Sequence, residues 1–192
     1  MTISNDLTWN RHINNIIAKA SKRLIILQKH RYTLPRMALE RIYISMIRPI
    51  LEYGDILYDN CSLNMSQKLE KIQRRAAIAC TGAYRHTSYQ SLLTELNWHS
   101  LSSRRQSNRL IQYYKITKHL TPPYLHNLLP TPHHTGYTLR NQSHRRPRFT
   151  RLTCSLTSYF PATTRDWNSL TEATQDTDSL PNFKRLVRAP NR

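Results

Sequence analysis

The sequence predicts an all-α protein with a helical domain of about five helices at residues 3–130. Two observations carry this prediction. Apolar residues recur at helical spacing in one segment after another before Pro130. Residues 131–150 are instead rich in Thr, His, Arg and Pro, with few large aliphatic side chains, which predicts a flexible basic linker. A small C-terminal module of one or two short helices is expected at residues 151–188.

The first predicted helix covers residues 9–29 and is amphipathic. Thr8 is its expected N-cap, and a capping hydroxyl typically stabilises a helix by about 1 kcal/mol. Its two faces differ in character, because the apolar stripe and the basic residues lie on opposite sides of the helix. The apolar stripe consists of Ile13, Ile16, Ile17, Ala20, Leu24 and Leu27, and the basic side of Arg11, Lys19, Lys22 and Lys29.

Proline, glycine and serine residues mark the ends of the next four helices. Pro35 suits the first turn of the second helix, and Pro49 predicts a kink there or a break near Tyr53-Gly54. A third helix is expected after Ser66, with Gly82 as its left-handed stop. The fourth should be capped by Ser88 and end at Trp98, and the fifth should run from about Leu101 to Leu120, ahead of Pro122-Pro123.

The C-terminal module has weaker signals. Apolar and polar residues alternate weakly from Phe149 to Leu156, which predicts a short strand. Pro161 to Leu170 is expected to form a helix that turns Trp167 inward, and Ser179 is expected to cap a final helix. The three tryptophans, Trp9, Trp98 and Trp167, lie beside apolar helix signals, so we expect core burial rather than stacking on bases.

The charge favours a polyanionic partner. The chain has 29 Lys plus Arg against 11 Asp plus Glu, a formal charge of +18, and no acidic residue between positions 96 and 165. Nucleic acid is the simplest partner for such a charge, although an anionic membrane surface would attract it as well. No apolar run is long enough to cross a bilayer, so no membrane partner is expected.

Other sequence features narrow the classes of site. Three cysteines without C-x-x-C spacing indicate reduced thiols and an intracellular protein, either nuclear or cytoplasmic. Three glycines leave no phosphate-binding loop, and no Gly-x-Ser-x-Gly motif marks an activated serine. Neither a zinc site at His133-His134 nor a metal site at Glu52, Asp55 and Asp59 is expected.

An ordered series of short motifs runs along the chain. It comprises Leu7-Thr8-Trp9 with His12-Ile13, Arg48-Pro49-Ile50-Leu51-Glu52-Tyr53-Gly54, Lys68-Leu69-Glu70-Lys71-Ile72-Gln73-Arg74-Arg75-Ala76-Ala77, Thr121-Pro122-Pro123-Tyr124-Leu125, and Ser158-Tyr159-Phe160-Pro161 with Trp167-Asn168. In this order and spacing, the series resembles the C-terminal portion of reverse transcriptases from non-LTR (LINE-like, Jockey-type) retrotransposons. The resemblance covers roughly residues 3–188.

The resemblance implies the thumb and post-thumb region of an RNA-directed DNA polymerase. In that family the catalytic Asp-Asp turn lies on an upstream palm domain, and this sequence contains no Asp-Asp pair. The chain alone is therefore expected not to be an enzyme and to carry no cofactor, since Mg2+ would belong to the missing palm. Its implied partners are RNA or an RNA–DNA hybrid and the palm domain itself.

Two groups of basic residues are the predicted nucleic-acid contacts. Contacts of this kind with phosphates would position a strand without reading its sequence. One group, on the helices, is Lys19, Lys22, Arg23, Arg74, Arg75, Arg104, Arg105 and Arg109; the other, in the linker, includes Arg145, Arg146 and Arg148. The alternatives are ordinary solvated helix faces and a localisation-like basic run. For the whole chain they are a stand-alone RNA-binding module or a retroelement remnant without function.

Overall fold

A computed structural model of the chain describes residues 1, 4, 8–130, 145, 153–156 and 158–189. Every regular element within these residues is helical, which confirms the predicted all-α class. The chain forms two compact units, Met1–Arg105 and Gln106–Arg192. The expected boundaries at residues 130 and 150 stay a prediction, and the expected linker lies outside the described residues except for Arg145.

The first unit is built from two long helices and several short ones. In chain order these are α1 (Asn10–Lys29), α2 (Arg36–Ile42), a π-helical turn (Tyr43–Ile47), α3 (Arg48–Leu51), α4 (Asp55–Tyr58), α5 (Leu63–Thr81) and α6 (Tyr89–Leu96). The next helix, α7 (Leu101–Thr117), begins in the first unit and ends in the second. The second unit continues with α8 (Pro123–His126), α9 (Thr153–Leu156), α10 (Tyr159–Asn168), α11 (Glu172–Gln175) and α12 (Leu180–Arg188).

The core of the first unit lies between α1 and α5, which pack along each other. The apolar stripe of α1 is buried as its spacing predicts, and α5 contributes both large and small apolar residues. Small side chains on a helix let a neighbouring backbone approach closely. The buried residues are Ile13, Ile16, Ala20, Leu24 and Leu27 from α1, and Leu69, Ile72, Ala76, Ala77, Ala79 and Cys80 from α5.

The chain accommodates Pro49 within a helical run and breaks it afterwards. Proline has no N–H to donate and its ring crowds the carbonyl one turn earlier, and here the preceding five residues, Tyr43–Ile47, adopt π-helical geometry. The predicted break at Tyr53-Gly54 is confirmed, since Gly54 has a φ of 72° at the start of α4. The Tyr58 hydroxyl donates back to the Leu51 carbonyl across this break.

Several predicted helix starts need correction. The N-cap of α1 is Trp9 instead of Thr8, and the Trp9 side chain makes no capping hydrogen bond. Helix α5 begins four residues earlier than predicted, because its N-cap is Ser62, whose Oγ accepts from the Met65 amide at 3.4 Å, and not Ser66. Its predicted stop at Gly82 is confirmed, with φ 70°.

Aromatic side chains form the core of the second unit. Tyr114 stacks on Phe183, with ring centres 4.3 Å apart, and both rings lie near Trp167, which is buried as predicted. The buried tyrosine hydroxyls have partners: Tyr113 bonds Thr164 Oγ1 at 3.1 Å, and Tyr114 donates to the Thr177 carbonyl at 2.6 Å. These contacts join α7, α10 and α12 into one core.

The predicted strand at Phe149 to Leu156 is wrong for the part that is described. Thr153–Leu156 forms a single helical turn, while residues 149–152 lie outside the described part of the chain. Four residues of weak alternation are too few to set a strand without a partner strand beside them. The predicted helices at Pro161 to Leu170 and after Ser179 are confirmed as α10 and α12.

Candidate nucleic-acid interface

The solvent face of α1 carries five cations, with the exposed Asn15 and Ile26 among them. Lys19, Lys22 and Arg23 are all exposed and, at spacings of three and four residues, are neighbours on one side of the helix. Arg11 and Lys29 are exposed on the same side, and the helix contains no acidic residue. At 1.5 Å per residue, these five cations extend over about 27 Å of helix. We call them the α1 basic face.

Four acidic residues of the first unit bond groups outside the α1 basic face. Glu40 and Glu95 both bond Arg36, Glu52 bonds Arg104, and Glu70 accepts from the Tyr89 hydroxyl and from the Leu101 and Ser102 amides. Within the described residues, no ion pair involves a cation of the α1 basic face. Among the residues that the structure describes, this face is therefore not neutralised by ion pairs.

Two of the predicted contact residues, Arg104 and Arg105, face inward. Arg105 has 3% of its surface exposed, and its guanidinium group bonds Asp59 at 3.3 Å and Ser66 at 2.7 Å. Arg104 is half-buried and bonds Glu52, which also lies 3.9 Å from Arg48. Burial alone would lower the pKa of Arg104, but the hydrogen bond and charge of Glu52 raise it. These arginines hold α7 to the segment around α3, α4 and α5.

The predicted residues of the second unit are also engaged. Arg109 is buried and pairs with Asp166 of α10. The Arg145 side chain donates to the Pro130 carbonyl at 3.0 Å, and its backbone exchanges two hydrogen bonds with the Asn168 amide. Arg146 and Arg148 lie outside the described residues. No further conclusion about the linker arginines follows.

Arg74 and Arg75 are adjacent on α5 but have different surroundings. Arg74 Nη2 donates to the carbonyls of Arg85 at 3.2 Å and Thr87 at 3.1 Å, so it anchors the turn that follows the helix. Arg75 is exposed and donates to Gln28 Oε1 at 3.2 Å, which links α5 to the end of α1. Arg74 therefore positions backbone, whereas Arg75 faces an open surface.

A groove of about 840 Å³ lies where α1 and α5 both end. The residues that give it its chemical character are Arg31, Tyr32, Arg75, Gly82, Tyr84 and Arg85. We call it the tyrosine groove. Sequence reasoning missed Arg31, Tyr32, Tyr84 and Arg85. The available signal was the occurrence of an adjacent tyrosine and arginine just beyond each of two helix ends, where nothing on the helix can bury the ring.

A second cavity, of about 490 Å³, lies beside His12, Lys19 and Tyr53. His12 is buried, its Nε2 atom lacks a hydrogen-bond partner, and its ring contacts those of Trp9, Tyr53 and Tyr58. Burial lowers the pKa of His12, and a hydrogen bond with the Tyr53 backbone opposes part of that effect. The histidine is therefore mostly neutral at pH 7 and adds little to the basic face.

In the part of the chain that the structure describes, no cluster of three or more His, Cys, Asp or Glu side chains is arranged to hold a metal ion. None of the helices in that part combines the length and apolar character needed to cross a bilayer.

No protein-family model, curated protein or solved structure matches the chain. The resemblance to non-LTR reverse transcriptases therefore rests on the motifs of the sequence. The structure does give several motif residues a packing role: Glu52 pairs with Arg104, Gly54 has a positive φ, and Asn168 bonds the Arg145 backbone.

Proposed function

We propose that this chain is a nucleic-acid-gripping module, similar to the thumb region of a non-LTR retrotransposon RNA-directed DNA polymerase. Its ligand in this proposal is RNA or an RNA–DNA hybrid, held by the phosphate backbone along the α1 basic face. Contacts of this kind orient a duplex but carry no sequence information. Catalysis would require a palm domain, which binds the metal ions and is a further proposed partner.

The observation that supports this proposal is the uncompensated charge of α1. Three cations at adjacent helical positions, Lys19, Lys22 and Arg23, are exposed, and their helix contains no acidic residue. A row of cations on a rigid helix neutralises phosphates and releases the counterions bound to them. The buried and paired Arg104, Arg105 and Arg109 are left out of the proposed surface, because contact with phosphate would require breaking their internal bonds.

The test is fluorescence anisotropy with a labelled RNA–DNA hybrid across about 50 to 200 mM salt. The unmodified protein is compared with a variant that combines Lys19→Glu, Lys22→Glu and Arg23→Glu. Because the logarithmic salt slope is about 0.9 per phosphate contact, we expect this variant to lose about three units of slope and most of its affinity.

The control is a variant with the same change in net charge, placed elsewhere. Arg41→Glu, Lys71→Glu and Arg185→Glu alter exposed residues on three other helices. This variant should bind nearly as well as the unmodified protein. Equal losses in the two variants would show a general charge effect, and a flat salt response of the unmodified chain would rule out phosphate gripping.

A further inference from the structure

We propose that the tyrosine groove binds unpaired nucleotides, with bases stacked on Tyr32 and Tyr84 and phosphates held by Arg75 and Arg85. This inference deepens the proposed function and rests on it. It assigns a second ligand form, a single strand, to a site separate from the α1 basic face. The groove belongs entirely to the first unit, Met1–Arg105.

The exposure of the two tyrosines is the first step of the argument. Tyr32 is 82% exposed and Tyr84 is 89% exposed, although both line the groove. A folded protein gains nothing from leaving two aromatic rings in water. Such rings are well suited to nucleic acid, since every base has a flat face that stacks on an aromatic side chain whatever its identity.

Arginine side chains accompany both rings. The guanidinium carbon of Arg31 lies 4.3 Å from the centre of the Tyr32 ring, so one side of this ring is covered by a cation. Tyr32 nevertheless remains largely exposed. Arg85 follows Tyr84 directly, and Arg75 is held at the groove by its bond to Gln28. No acidic residue lines the groove among those described.

The groove is also built to keep its shape. Arg74 bonds the carbonyls of Arg85 and Thr87, and the Thr87 amide donates to the Tyr84 carbonyl at 3.0 Å, so the turn that presents Tyr84 is fixed. Gly82 leaves the floor open, since a Cβ atom there would meet nothing within 4 Å. A volume of about 840 Å³ lies within the range of sites that hold small organic ligands.

The two tyrosine rings of the groove favour an unpaired strand over other polyanions. An acidic peptide would satisfy the arginines but would leave both rings without a partner. A base-paired duplex hides the faces of its bases within its own stack. An unpaired strand offers phosphates and accessible base faces together, which matches both halves of the groove.

The experiment measures the affinity of the full chain for labelled oligouridylate of about ten nucleotides. The variants are Tyr32→Ala, Tyr84→Ala and, as conservative partners, Tyr32→Phe and Tyr84→Phe. Both tyrosines are exposed, so none of these changes removes a core side chain. Tyr124→Ala, at a residue that is 65% exposed in the second unit, is the matched control.

We expect each alanine variant to bind oligouridylate about tenfold more weakly, with an unchanged salt slope because no phosphate contact is lost. The phenylalanine variants and Tyr124→Ala should bind like the unmodified chain, and affinity for the RNA–DNA hybrid should stay the same. Alanine variants with full affinity for oligouridylate would overturn the proposal. Equal losses on hybrid and single strand would also overturn it.

Polyaspartate of matched charge serves as a competitor. If it displaces oligouridylate as well as unlabelled oligouridylate does, the groove recognises acidic chains in general and the proposal fails. If the hybrid binds with a steep salt slope while the tyrosine variants keep full affinity for oligouridylate, the groove proposal fails and the proposed function stands. An unmodified chain that binds neither form would overturn the proposed function along with it.

Discussion

Arg105 shows how one side chain can tie several short elements together. Its guanidinium group bonds Asp59 at the end of α4 and Ser66 within α5, and it is 3% exposed. A buried cation is costly to desolvate, and its partner becomes costly if left alone. Arg105 is therefore better described as a structural residue than as a surface cation, despite its place in a basic run of the sequence.

Replacing this arginine should destabilise the fold. We expect Arg105→Met to lower the free energy of unfolding by about 3 kcal/mol or more, because the Asp59 carboxylate loses its buried cation. Urea denaturation measures this change. Arg105→Met combined with Asp59→Asn should recover part of the loss, since no uncompensated charge then remains. A loss of less than about 1 kcal/mol for the single change, typical of surface ion pairs, would contradict the assignment.

His12 provides a test of pH dependence. Burial lowers its pKa, so the folded protein holds this proton less tightly than the unfolded chain does, whose pKa is about 6.5. The associated stability is fully present above that value and is lost as the pH falls below it. The unfolding free energy should therefore decrease between about pH 7 and pH 5.5.

The comparison of two histidine variants isolates this contribution. His12→Gln should flatten the pH profile of urea denaturation in that range, whereas His86→Gln, at an exposed residue, should leave it unchanged. If His12→Gln kept the full slope, other groups would be responsible for the acid sensitivity.

Among the helices, α5 allows a test of the left-handed residue at its C-terminal end. Gly82 has a φ of 70°, which costs other residues about 1 to 2 kcal/mol, and its amide donates to the Ile78 carbonyl at 3.0 Å. We expect Gly82→Ala to lower stability by about 1 kcal/mol and Gly82→Asn by less, because asparagine tolerates this region. Asn97 already ends α6 with a φ of 52°. Equal urea midpoints for all three proteins would contradict a left-handed requirement at this position.

Apolar periodicity was enough to predict the long helices. The stripe of α1 and the stop of α5 follow from side-chain spacing and from one glycine, which are local properties. Helix starts were harder, because several serine or threonine residues stand near each start. Only the folded structure decides that Ser62 caps α5 and that Trp9 takes the N-cap position of α1.

Short elements escaped prediction for a related reason. The single turns α8 and α11 contain four residues each, too few to show a helical period. The π-helical turn at Tyr43–Ile47 has five residues, also too few to show a period of its own, and its Tyr43 stacks on Trp98 with ring centres 4.2 Å apart. Pro49 predicted an irregularity in this helical run, but not its π-helical form.

At the scale of the whole molecule, the net charge could be read from the sequence but its distribution could not. Eight helical cations were candidates, and their ion pairs depend on contacts such as Arg104 with Glu52, 52 positions apart in the chain. The same limit hid the tyrosine groove, since Tyr32 and Tyr84 line one groove only when α1 and α5 pack together. Charge thus predicts a class of partner, whereas burial selects the residues available to it.

The α1 basic face leads to a prediction about stability in the presence of ligand. A ligand that binds only the folded protein stabilises it by about 2.7 kcal/mol at 100 times its dissociation constant. An RNA–DNA hybrid at that concentration should therefore raise the melting temperature by several degrees, and less so as salt is added. Because the α1 basic face is the proposed binding surface, the variant with Lys19→Glu, Lys22→Glu and Arg23→Glu should melt at nearly the same temperature with and without the hybrid. Differential scanning calorimetry with both proteins makes the comparison.

The control variant with Arg41→Glu, Lys71→Glu and Arg185→Glu has the same net charge as the α1 variant. It should keep most of the shift in melting temperature, since its α1 basic face is unchanged. A rise in melting temperature that persists in the α1 variant would place the binding surface elsewhere on the molecule.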